Sequence, residues 1–324
     1  MKKYFSTLLV LLFLLAMIAP AAAHSVIVLP GSNQAASVNA SADDFYFDVG
    51  ETAHLFLYII HSEEANFAEI GEAFNITQKV LSPDGTLQNV TVTRSSSNVS
   101  YDIGDGNSVT ANWYSSNIKL DQEGVYYVLS SQKGYDENGE QTRERNSVTV
   151  LYSGDSSTGW DNLKKTGLDS GAKAILHPTA DARAIQSGSS LSFFLTGDIR
   201  WFENEVTDPA DILDPLPVIA GVYTTPSQMA ADGAGLSIES QVISNANPTV
   251  SFKLTQSGVW TFMAVNEKGE IGDDNYQSVY VMPVKTAGTG SDADDDEDSS
   301  IPGLGIIGLI ACVGIAGALF MRRK

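Results

Sequence analysis

The chain holds a single cysteine, Cys312, among 324 residues. It falls inside an apolar segment near the C-terminus, so the remainder has no disulfide, no thiolate nucleophile and no sulfur-ligated metal site. Basic residues are also scarce, with 19 Lys and Arg against 39 Asp and Glu. Five of those bases sit at the termini, so the stretch between them is strongly acidic. That disfavours nucleic acid and anionic lipid as partners and favours cations; solubility, or adaptation to a salty medium, explains the same charge. Histidine is limited to four positions, His24, His54, His61 and His177. No Ser-His-Asp arrangement, phosphate loop or HExxH motif is legible. Without cross-links, stability rests on burial, and roughly 260 residues make two ordinary cores.

Long hydrophobic runs occur only at the two ends. Lys2 and Lys3 precede an apolar stretch from Tyr4 to Ile18, followed by Pro20 and Ala21-Ala22-Ala23. This is the order of a secretory signal, 1–23, cut after Ala23 so that the mature chain begins at His24. At the other end, 301–321 is uncharged and long enough to cross a hydrocarbon core of about 30 Å as a transmembrane helix. Arg322, Arg323 and Lys324 then read as a cytoplasmic tail, 322–324. Residues 286–300 carry Asp292, Asp294, Asp295, Asp296, Glu297 and Asp298, whose repulsion keeps an acidic stalk extended. The expected topology is a single-pass protein of the cell membrane with its ectodomain outside.

Pro302-Gly303-Leu304-Gly305, an apolar helix and a basic tail together resemble the PGF-type C-terminal sorting signal of archaeal surface proteins, with Leu304 in place of Phe. The resemblance implies removal of the helix by a sortase-like enzyme and its replacement by a lipid at the cell surface. The small-residue spacing also suits a helix-pairing face.

Between the ends, short β-rich segments alternate with turn signals, which predicts an all-β fold of two tandem immunoglobulin-like β-sandwiches at 24–152 and 171–285. A polar, glycine-rich stretch at 153–170 reads as the linker, with Trp160 packing on one of the domains. Strands are expected at 25–29, 45–47, 53–60, 77–81, 88–93, 109–114, 125–132 and 147–152, then at 172–176, 190–196, 218–223, 238–243, 249–254, 259–265 and 277–282. Two local parallels tie the halves together. Asp48-Val49-Gly50-Glu51 matches Gln186-Ser187-Gly188-Ser189, and Gln122-Glu123-Gly124-Val125-Tyr126 matches Gln256-Ser257-Gly258-Val259-Trp260. Four Asn-X-Ser/Thr sequons at Asn39, Asn75, Asn89 and Asn98 mark the first half as a candidate glycoprotein surface. The stretch from Arg200 to Pro217 is too long for a hairpin; its acids offer oxygen ligands for calcium, without EF-hand spacing.

Of the histidines, His24 has an argument from position. Cleavage after Ala23 would give it a free α-amine beside its imidazole, a chelating pair suited to copper, nickel and cobalt. His61 ends an expected strand where Glu63 and Glu64 begin an acidic loop. His54 lies seven residues earlier, so alternation puts it on the opposite face, as a half-buried strand histidine.

Ala23-His24 before an apolar strand and Leu29-Pro30, then Val49-Gly50-Glu51 before a strand ending in His61, resembles the two-domain periplasmic proteins associated with ABC-type cobalt and nickel uptake. Ala172-Lys173-Ala174-Ile175 before Pro178, Ser187-Gly188 before Leu191 and Ser257-Gly258-Val259-Trp260-Thr261-Phe262 extend the resemblance through the second half. Members typically carry Gly-His-Pro-Phe at the second histidine, where this chain has Ile60-His61-Ser62-Glu63. The resemblance implies a non-enzymatic protein that binds a divalent metal ion, cobalt or nickel, through His24 and His61, with Glu63 or Glu64 completing the site, and passes it to an ABC-type transporter. Two other readings stand beside it: a cell-envelope or adhesion protein of immunoglobulin-like modules, and a copper oxygenase of the histidine-brace type.

Overall fold

Segments with one apolar face must cover it, and in this chain they do so by stacking sheets. The computed structural model describes residues 24–287 except 62–65, 68–75, 97, 105, 112, 136–140, 198–215, 227, 229–238, 244–248 and 269–273. The expected signal, transmembrane helix and tail, and the stalk beyond residue 287, therefore lie outside the described residues. Among the described residues no helix is long and apolar enough to cross a membrane.

The described chain is all-β. The first half contains β1 (His24–Pro30), the short α1 (Gln34–Ser37), β2 (Tyr46–Phe47), β3 (Thr52–His61), β4 (Asn66–Phe67), β5 (Ile76–Leu81) and β6 (Leu87–Val90). It continues through β7 (Thr93–Arg94), β8 (Val99–Gly104), β9 (Asn107–Ala111), β10 (Tyr114–Lys119), β11 (Gly124–Tyr135) and β12 (Gln141–Ser153). After α2 (Asn162–Thr166) come β13 (Ala174–Pro178), β14 (Ser190–Gly197), β15 (Leu216–Val222), β16 (Glu239–Ile243), β17 (Thr249–Lys253), β18 (Gly258–Lys268) and β19 (Asp274–Val284).

One central sheet runs in the order β16-β15-β18-β19-β12-β11-β5-β6, with β2 added alongside β12. The two halves meet inside it at a parallel junction, where β12 pairs with β19 from Glu144↔Tyr276 to Thr149↔Val281. Along the eight-strand path on either side of that junction the pairing is antiparallel and the strand order is mirrored, while the short β2 pairs with β12 in parallel. Two smaller sheets, β1-β3-β10-β7 and β13-β14-β17, form the outer layers, and β8 and β9 make a separate hairpin.

Alternation along the junction strands shows where the outer sheets lie. Leu151 of β12, with Val279 and Val281 of β19, packs into a core with Val26, Leu55 and Tyr114 of the first outer sheet. Val148, Val150 and Tyr152, with Tyr280 and Met282, pack into a second core with Ile175, Phe193 and Phe252 of the other outer sheet. The two outer sheets thus cover opposite faces of the central one. Both cores take residues from both halves, so the boundary drawn at 153–170 does not separate two independent interiors.

That stretch is also more ordered than a polar linker. β12 runs to Ser153, α2 buries Leu163, and a 3-10 turn at Gly167–Ser170 follows. Trp160 packs against the second core, and its carbonyl accepts a hydrogen bond from Tyr127 Oη.

The sequence parallels recur in the backbone. Gly50 and Gly188 have φ of 92° and 90°, and Gly124 and Gly258 have 139° and 138°, a region favourable only to glycine. The bonds match too: Gly50 N donates to Leu120 O (2.7 Å) and Leu120 N to Glu51 O (2.9 Å), while Gly188 N donates to Leu254 O (2.6 Å) and Leu254 N to Ser189 O (2.9 Å). Each motif ties the start of an outer-sheet strand to the end of its neighbour.

Candidate functional site

The register of β1 against β3 opposes His24 and His61, the first residue of one strand and the last of the other. Opposed residues of an antiparallel pair have Cα atoms about 4.5–5.5 Å apart. Alternation had fixed neither the partner strand nor its register; what could be read was only that His61 ends a strand. On its other side β3 pairs with β4, opposing His61 to Asn66. Three strands therefore bring His24, His61 and Asn66 together at one end of the outer sheet. Glu63 and Glu64 lie outside the described residues, as does nearly all of the acidic stretch 200–217.

The other two histidines are placed elsewhere and are already engaged. His54 was expected to be half-buried, but it is exposed, because Thr52, His54 and Phe56 face outward while Ala53, Leu55 and Leu57 point into the core. Its Nδ1 lies 2.7 Å from Asn117 Oδ1 on β10, the strand position directly opposite. His177 is only 2 % exposed. Its Nδ1 lies 3.1 Å from the Pro178 carbonyl and so donates to it, which leaves Nε2 to accept from the Thr196 hydroxyl at 2.5 Å. Burial pushes the imidazole down to about 4, with Lys164 acting in the same direction. A neutral ring with both nitrogens occupied is a structural group. Among the described residues no cluster of three or more His, Cys, Asp or Glu side chains is arranged to hold a metal.

A polar groove opens where β2 meets the end of β19. Tyr46 and Tyr152 stack with centroids 4.9 Å apart, and Lys285 Nζ lies 3.6 Å above the Tyr46 ring. Burial is the main cause that raises the Tyr46 phenol to about 12, opposed by Arg183. Arg183 stacks near Tyr152, donates to the carbonyls of Gly154 and Ser156, and lies 3.6 Å from Asp155. Spacing along the chain gives no sign of this cluster, because its members come from β2, β12 and the turn after it, the segment before β14 and the residue that follows β19. Its chemistry is that of a clamp: the guanidinium fastens the start of the crossover to the second half.

No protein-family model matches the chain, and no curated protein does. Among solved structures, a DUF4785 family protein from Legionella pneumophila is similar at 9 % identity, over 80 % of this chain and 55 % of that one, with a TM-score of 0.24. The Yersinia pseudotuberculosis adhesin InvE is similar at 11 % identity over 79 % and 58 %, with a TM-score of 0.21. The fibronectin(III)-like modules of Clostridium thermocellum CbhA are similar at 12 % identity over 83 % and 100 %, with a TM-score of 0.20. The chain thus spans a little over half the length of the first two. At these scores the likenesses assign no family and no activity.

Proposed function

We propose that the chain is an exported cell-envelope protein, held at the membrane by its C-terminal segment, whose two immunoglobulin-like sandwiches act as one rigid structural or adhesive module without catalysis. The supporting observation is the shared central sheet. Its six parallel residue pairs at the β12–β19 junction continue one sheet from half to half, and the two cores on its faces leave edges, turns and grooves as the surface for partners. A module of this kind transmits load and presents a fixed outline, which is what an envelope or adhesion role requires. Protease added to intact cells tests the placement. The expected result is release of fragments from 24–287 without loss of cytosolic markers, with the first peptide beginning at His24. Cleavage only after lysis refutes it.

A second reading is favoured by one separate observation, the opposition of His24 and His61 across β1 and β3. A mature His24 would offer amine and imidazole nitrogens to a divalent cobalt, nickel or copper ion, with His61 on the facing strand and Glu63 or Glu64 as further donors. Captured ion would then pass to a transporter of the ABC type. Titration of the mature protein with Co²⁺, Ni²⁺ and Cu²⁺ is the test, beside a variant with Ala inserted before His24. Weaker binding by the variant supports the reading; equal binding, or none by either, sinks it.

A further inference from the structure

The four sequons are alike as strings and differ in the fold. Asn39-Ala40-Ser41 is built into the exit of α1. There Asn39 Nδ2 donates to Ala35 O at 3.0 Å, Ala40 is 5 % exposed, and Ser41 Oγ donates to Asp44 Oδ2 at 2.8 Å. In Asn98-Val99-Ser100 the asparagine is exposed, but Ser100 Oγ is bonded to Thr110 Oγ1 at 2.8 Å. Asn75 lies outside the described residues. Asn89-Val90-Thr91 is different. Asn89 and Thr91 are both exposed, and neither side chain has a hydrogen-bond partner among the described residues.

Position gives that difference a consequence. Asn89 sits on β6, the last strand of the central sheet, paired on one side with Lys79 of β5. The outer side of β6 carries no further strand of that sheet among the described residues, and an open edge is a template for pairing with another chain. At the opposite end of the sheet the edge strands are stitched together. Gln241 of β16 donates through Nε2 to Ser251 O and accepts from Ser251 N at 3.1 Å, which ties β16 to β17. Among the described residues no such stitch reaches β6.

We propose that Asn89 carries an N-linked oligosaccharide that shields the open edge of the central sheet, and that Asn39 stays bare. The donor is a lipid-phosphate-linked oligosaccharide. Asn89 Nδ2 bonds to the anomeric carbon, the bond from that carbon to the phosphate oxygen breaks, the lipid phosphate leaves with the electron pair, and the amide proton passes to a base of the transferase. A bulky, hydrated sugar at this position excludes a second strand from the edge. This inference rests on the export reading, since the acceptor pattern is used in secreted chains.

Peptide mass spectrometry of the protein purified from its own cells tests both parts. The expected result is an Asn89 peptide shifted by the mass of a glycan, an unshifted Asn39 peptide and an N-terminus at His24. A bare Asn89 in a chain that begins at His24 overturns the proposal and leaves export standing, whereas a bare chain that begins at Met1 sinks both. A glycan on Asn39 overturns the selectivity. Thr91→Ala removes the sequon while keeping Asn89, and light scattering should then show the monomer giving way to larger species at equal concentration. A Thr91→Ala protein that stays monomeric overturns the shielding role.

Discussion

Gly124 and Gly258 occupy equivalent turns with φ of 139° and 138°, yet their surroundings differ, so one substitution made at both sites separates backbone strain from steric conflict. An alanine at either site holds a non-glycine residue in a conformation that costs about 1–3 kcal/mol. At Gly258 the added Cβ meets only Val222 Cγ1, at 3.0 Å, and a side chain can yield. At Gly124 it lands 2.5 Å from Thr158 O and 2.8 Å from Pro83 Cβ. The carbonyl must move, and it is the acceptor for Val125 N at 2.9 Å, so a hydrogen bond of about 1 kcal/mol goes with it. Gly258→Ala should therefore cost about 2 kcal/mol and Gly124→Ala about 3 kcal/mol. At roughly 2–4 °C per kcal/mol for a domain of this size, the melting temperature falls by about 6 °C and about 9 °C. Urea unfolding of the purified variants, read by circular dichroism, measures the same difference as a change in midpoint. Equal losses, or a larger loss at Gly258, would refute the reasoning.

Two further outcomes follow from one buried and one half-buried side chain. His177 stays neutral to about pH 4 in the folded chain against an ordinary value of 6.5. As pH falls below 6.5 the unfolded chain takes up a proton that the folded one refuses, so stability drops between pH 6.5 and 4 by about 3 kcal/mol and levels off below. His177→Gln should flatten that part of the profile, and identical pH slopes in the two proteins would count against it. Arg183→Ala removes the bonds to Gly154 O and Ser156 O and the contact with Tyr152. A loss of about 2–3 kcal/mol is expected by calorimetry. Arg183→Lys should recover less than half, because an ammonium cannot reproduce the fork.

Strand existence was largely legible and strand partnership was not. The run from Val109 to Tyr114 reads as one strand, but it belongs to two, β9 ending at Ala111 and β10 starting at Tyr114, in different sheets. β10 was hidden because its inward positions are Tyr114, Ser116 and Ile118, and the polar Ser116 breaks the apolar alternation although it is 6 % exposed. The junction strands mislead in another way. Residues 147–153 and 277–284 are buried on both faces, the signature of a strand inside a covered sheet, but Thr149, Ser278 and Gln277 interrupt their apolar character. Nothing local to either run announces that the two pair in parallel. The glycine motifs were readable because a positive φ is a property of one residue and its turn. At the candidate site, His24 and His61 could be named from the chain, whereas their opposition is set by β1–β3 register, a long-range property. Arg183 had no signal, since its acceptors are carbonyls and its stacking partner lies on another strand.

The central claim is that both halves form one body through the shared sheet, and scanning calorimetry of the purified protein tests it most directly. One transition is expected, with a calorimetric enthalpy near 180 kcal/mol, from roughly 0.7 kcal/mol for each residue of 24–287, equal to the van't Hoff value. Two resolved transitions, each carrying about half of that enthalpy, would contradict it.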